Sequence, residues 1–176
     1  MYLYKKTIKP QNRTAWIISL LCFLVGAVLF TSAANIFKSG AAIAQLIGIL
    51  LLTFAIYILS AYLIRQYTFS VEHNKNEDGG IKETYDFIIT EQRYGKTVKV
   101  CHFKLTDITG ILVVDAENKN QVSEERKSKL RYSYNTEFAP KRYIELSASL
   151  DGEDYSVIVT YDFDLFQTLN NAINNK

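Results

Sequence analysis

The sequence predicts a membrane-spanning α-helical hairpin followed by a mainly-β domain that closes on a C-terminal helix. Three observations carry this reading. Residues 15–34 and 41–64 are apolar and uncharged, the hydrophobic period changes to two from residue 66, and the last dozen residues return to helical spacing. Charge divides the 176-residue chain at the same place: residues 1–64 hold Lys5, Lys6, Lys9, Arg13 and Lys38 and no acid, so all 18 acidic residues follow Ile64. The net charge of +2 conceals that division, and 48% hydrophobic with 13% aromatic content excludes a disordered chain.

Residues 1–14 read as a basic tail. The first span is predicted over 15–37, where AWIISLLCFLVGAVLFTSAA supplies 20 uncharged residues. At the rise of an α-helix such a run covers roughly the 30 Å of a bilayer's hydrocarbon core. Residues 38–40 form a turn short enough to force an antiparallel partner over 41–64, and Trp16, Tyr57 and Tyr62 are candidate interface anchors. Four bases precede the first span and Arg65 follows the second, so the positive-inside bias predicts a multi-pass cell-membrane protein with both termini cytoplasmic. A secretory signal competes for the first apolar run, which is longer than the roughly 7–15 residues such a signal uses.

Within the spans, Gly40, Ala44 and Gly48 recur every fourth residue, and Ser19, Cys22 and Gly26 follow three-four spacing. Small residues on one face let helix backbones approach, so Gly26, Gly40, Ala44 and Gly48 are the predicted packing positions, within the hairpin or against a second copy. Gln45 is the most polar side chain at depth and suits an interhelical hydrogen bond. Asp, Glu, Lys, Arg and His are absent from both spans, which argues against an ion or proton pathway.

Residues 66–176 alternate as strands do. Tyr67, Phe69 and Val71 form one face of the first strand, and Tyr85, Phe87 and Ile89 one face of the second, across the charged break HNKNEDGGIKE. Tyr94-Gly95 turns the chain into TVKVCHF, where Val98 and Val100 are expected to face away from Lys99 and Cys101. DITGILVVD is a fourth strand, and the polar run over 116–129 is the longest loop. LRYSYN, RYIELSAS and DYSVIVTY complete seven antiparallel strands, the last two joined by the hairpin signal Asp151-Gly152. Asp162 or Asp164 can then cap a helix whose buried side carries Leu165, Phe166, Leu169 and Ile173.

Seven strands and a closing helix in this length suggest a small sandwich or partly open barrel. The order of elements, the phrase YGKTVKVCHFKLTDI and the terminal helix FDLFQTLNNAI together resemble the bacterial pleckstrin-homology-like (PH-like) domains, many of which follow two membrane spans. The resemblance implies a PH-like seven-stranded antiparallel fold. In phosphoinositide-binding members of the wider fold, bases in the first hairpin hold the phosphates. The loop matched to it here, 73–83, sets Lys75 and Lys82 against Glu77, Asp78 and Glu83, so that site is not expected.

A second basic cluster, Arg126, Lys127, Lys129, Arg131, Lys141 and Arg142, lies among Tyr132 and Tyr134 and is the candidate surface for a protein partner or lipid headgroups. Acids at Glu117, Glu124, Glu125 and Glu137 dilute it. Only His73 and His102 could act as an imidazole base, no nucleophile sits in a GxSxG context, and no CxxC or HExxH spacing occurs, so neither an enzyme nor a metal or other cofactor is expected. The acid excess after Ile64 disfavours nucleic acid, and nothing points to a small-molecule substrate. The expected function is a non-enzymatic membrane-anchored interaction or scaffold module acting on a protein partner or its own copies. A regulatory subunit of a transport assembly and an anionic-lipid sensor are the alternatives.

Overall fold

A computed structural model describes residues 2–10, 12–37, 40–74, 84–119, 122, 130–150 and 152–174. The chain divides into two compact units, one of residues 10–65 and one that joins 1–9 to 66–176.

The smaller unit holds α1 (Arg13–Ile36), α2 (Ala41–Leu59) and a π-helical turn, Ser60–Ile64. Both helices are long and apolar enough to span a membrane. Their large side chains, among them Leu21, Val28, Ile43, Leu46 and Ile56, remain exposed on the unit's surface. The faces that meet are small. Gly26 and Gly48 approach so closely that a Cβ built on Gly48 would stand 2.8 Å from the Gly26 carbonyl oxygen and 2.9 Å from the Phe30 nitrogen. Ser19 Oγ donates to the Ala55 carbonyl across the interface at 3.0 Å. Among the described residues this bond comes from Ser19 and not from Gln45.

The larger unit is two four-stranded sheets and a helix. Sheet A is ordered β1-β2-β3-β4, from β1 (Tyr2–Ile8), β2 (Gln66–Asn74), β3 (Thr84–Arg93) and β4 (Lys96–Lys104), all antiparallel. Sheet B is ordered β5-β7-β8-β6, from β5 (Ile108–Val114), β6 (Leu130–Tyr134), β7 (Tyr143–Leu150) and β8 (Glu153–Thr160). Helix α3 (Phe163–Asn174) ends the chain. The core packs Tyr67, Phe69, Val71, Phe87 and Ile89 of sheet A against Ile144, Leu146, Val157 and Val159 of sheet B, with Leu165 and Leu169 of α3.

All seven expected strands are present, and four features differ from expectation. The segment read as a basic tail contains β1, which pairs with β2 from Tyr2↔Glu72 to Ile8↔Tyr67. Its one buried side chain is Tyr4. Strand β6 runs parallel to β8, not antiparallel, because the long connection from β5 gives the chain room to cross before pairing. A bulge in β4 between the partners of Ile89 and Thr90 resets the alternation, so Val100 and Cys101 both pack toward the core. Gly40 leaves the packing stripe: it stands at φ 102 in the turn before α2 with nothing near its missing Cβ, a backbone conformation that favours glycine. Ala44, by contrast, is buried as expected.

Candidate functional site

Sheet A sets where the chain leaves and re-enters the β unit. Ile8 at the end of β1 and Tyr67 at the start of β2 are paired neighbours, so the segment 10–65 leaves and re-enters the β unit at one end of sheet A. Gln92 is opposite Gln66 and Arg93 opposite Lys96, which places the β3–β4 turn at that same end.

The β1 edge is secured by Asp162. Its Oδ1 accepts from the Leu165 N–H at 3.1 Å, the N-cap bond of α3, and from Tyr4 Oη at 3.0 Å, while Oδ2 pairs with Lys6 Nζ. Of the two capping candidates the structure uses Asp162, and Asp164 sits in the first turn. Partial burial works to raise the Asp162 pKa, but the Lys6, Leu165 and Tyr4 hydrogen bonds outweigh it and hold the carboxyl below its ordinary range. Tyr4 is shifted upward by burial and then by its bond to Asp162.

The β4 edge is built otherwise. Tyr94 and Gly95 make a two-residue turn with φ 50 and φ 77, the primed type that twists with its strands and prefers Asn or Gly first. A tyrosine in that conformation costs about 1–2 kcal/mol. The residue is 71% exposed, and its ring centre lies 5.6 Å from the Arg93 guanidinium. Behind the turn, Glu91, Arg93, Tyr94, Lys96, Val98 and Val100 line an open groove of about 560 Å³. Tyr134 of β6 donates to the Val100 carbonyl at 3.1 Å and sets its ring edge-on against Tyr67. Further along, Phe103, Tyr155 and Tyr132 follow one another at 6.4 and 6.2 Å between ring centroids.

The basic cluster read from the sequence is not one patch among the described residues. Arg126, Lys127 and Lys129 lie outside them. Arg131 and Tyr132 are exposed on β6, opposite Ser156 and Val157. Tyr134 faces inward to Tyr67. Lys141 and Arg142 precede Tyr143, which pairs with Thr160 at the far end of β8, and four residues of strand from Ser156 amount to about 13 Å. Arg142 is engaged there, 3.9 Å from Asp115 and 5.3 Å from the Tyr161 ring centre. The groove behind Tyr94 was missed because its lining comes from two strands joined by a turn, and its one sequence signal was a tyrosine where a turn prefers asparagine.

Burial pushes the Cys101 thiol up to about 12, so it is not a ready nucleophile. His102 Nε2 lies 2.9 Å from Asp86 Oδ2. Ser70, in the same cross-strand row, is separated from His102 by Ile88 on the middle strand, about 10 Å at the usual strand spacing. Among the described residues no group of three His, Cys, Asp or Glu side chains could hold a metal ion. Comparison with family models, with characterised proteins and with solved structures returned no match.

Proposed function

We propose that this chain is a non-enzymatic membrane-anchored interaction module, in which the hairpin holds a PH-like β domain at the cytoplasmic membrane face for binding to a protein partner or to its own copies. The observation that carries the reading is the pairing of β1 with β2: the β unit grips both ends of the spanning segment through adjacent strands, a stiffer attachment than a single linker. It also requires both ends of the hairpin to emerge on one side, as two antiparallel spans do. The charge bias of Lys5, Lys6, Lys9, Arg13 and Arg65 against the single Lys38 makes that side cytoplasmic.

Two four-stranded sheets and a closing helix support the PH-like reading, with β6 as an addition inside the long β5–β7 connection. Counting β1 as the first strand changes the loop correspondence made from sequence. The spanning hairpin then occupies the first-hairpin position, where the wider fold holds its phosphates, and the 73–83 loop is the second. Strand β6 ends sheet B and carries the exposed Tyr132 beside Arg131, so an extended segment of a partner could add to that edge. A photo-crosslinking residue at Tyr132 in the full chain, activated in native membranes, is expected to give a discrete protein adduct that is absent when the residue is placed at Ser149. Equal or no adducts at the two positions would remove this reading.

A further inference from the structure

The two ends of sheet A differ in charge and in surface chemistry. At the end where the chain enters from the helical segment stand Lys9 after β1, and Arg93 and Lys96 around the β3–β4 turn, with Glu91 the one acid among the described residues of that sheet end. At the other end Glu72 and Asp86 oppose Lys104, and His102 pairs with Asp86. The entry end also carries the two most exposed apolar groups of the sheet's outer hairpin, Tyr94 at 71% and Val98 at 59%. Gln66, which sets the level of Gln92 in the sheet, follows Ile64, the last residue of the second apolar segment, by two positions.

An amphipathic ring flanked by two cations is the composition that settles at a bilayer's headgroup level: the ring body leaves water, the hydroxyl stays at the polar boundary and the cations meet phosphate. Tyr94 gains no core packing in return for its left-handed backbone, since its ring stands in solvent. A residue kept in an unfavourable conformation whose ring meets the neighbouring Arg93 guanidinium and not the core points to an external contact. We propose that the β3–β4 tip, from Arg93 to Lys96, docks on the anionic lipid headgroups of the membrane that the hairpin spans, with the Tyr94 ring at the headgroup boundary and Val98 beside it. The proposal rests on the hairpin's lying in a bilayer and is independent of the protein partner at Tyr132. It moves the lipid contact away from the 126–142 cluster and onto a turn whose position follows from strand register.

The test uses the full chain in nanodiscs of phosphatidylcholine with and without phosphatidylserine. Cys22 and Cys101 are replaced by alanine, and an environment-sensitive fluorophore is attached at Tyr94→Cys or, as the control at the far end of β4, at Lys104→Cys. A headgroup nitroxide lipid is expected to quench the label at position 94 several-fold more than at 104 when phosphatidylserine is present. Arg93→Glu with Lys96→Glu is expected to bring that quenching to the control level. Trp16, the chain's one tryptophan, reports separately on the hairpin through quenching by an acyl-chain nitroxide. Trp16 quenched with equal quenching at 94 and 104 overturns the lipid contact while leaving the hairpin in place, and Trp16 unquenched overturns both. Quenching at 94 that survives the charge reversal, or a label shielded equally in detergent, also overturns the proposal, the latter in favour of a protein covering the tip.

Discussion

The two outer strands of sheet A are treated in opposite ways. Strand β1 is fastened by a carboxylate that simultaneously caps α3, accepts from Tyr4 and pairs with Lys6. Strand β4 is bulged, exposed along its first half and turned through a strained tyrosine. Interactions are concentrated on the edge next to the point where the helical segment 10–65 is attached, and the opposite edge keeps exposed groups whose conformation costs stability. The difference teaches that β1 is part of the fold's foundation although it comes from the segment with the least strand-like composition.

The most severe way to break the comparison is to remove β1. A fragment of residues 66–176 loses a whole strand from beside β2, the buried Tyr4 and both side-chain partners of Asp162. The loss should exceed about 4 kcal/mol, comparable with the whole stability of many domains. Far-UV circular dichroism should show the fragment unfolded or aggregated, and joining residues 2–9 to Gln66 through a short Gly/Ser turn should restore it. A stable, monomeric 66–176 fragment would show that β1 is dispensable.

Next in size is Asp162→Ala, expected to cost about 2 kcal/mol, since it removes a helix cap together with two side-chain bonds. Its pH signature follows from the lowered pKa: the stabilisation is complete above the unfolded carboxylate value near 3.9 and disappears as pH falls through the lower folded value. Thermal melts of the full chain in detergent between neutral and acid pH should therefore converge for wild type and variant at the acid end. A constant gap down to the lowest pH would assign the effect to packing instead.

The smallest expected effect has the opposite sign. Tyr94→Gly on the β4 edge should stabilise the fold by up to about 1 kcal/mol, because glycine adopts φ 50 freely and no core contact is lost. A destabilised Tyr94→Gly chain would mean that the ring supports the fold from outside the core, and the contrast between the edges would vanish.

Much of the architecture was legible because burial leaves a period in the sequence. The alternation of Tyr67, Phe69 and Val71, or of Ile144, Leu146 and Ala148, marks a face that the structure buries. Strand β1 left no such mark: only Tyr4 goes inside, and Lys5 and Lys6, which look like a tail, are exposed on an edge strand, with Lys6 sharing Asp162 with Tyr4. The β4 bulge and the parallel course of β6 depend on partners distant in sequence, and hydrophobic period carries no information about them. In the hairpin the small-residue rule found Gly26, Gly48 and Ala44, but at Gly40 spacing coincided with a turn's need for a positive φ. The site was least legible. Proximity in sequence grouped Arg131 with Arg142, and strand register separated them, while it brought Lys9 to the sheet end that carries Arg93 and Lys96.

Because Thr7 pairs with Thr68, the first strand must wait through the synthesis of the whole helical segment 10–65 before its neighbour exists. If one helix enters the bilayer without the other, the two strands are left in different compartments and the sheet has no way to close. Under the two-span reading, closure of sheet A therefore requires that both helices cross together.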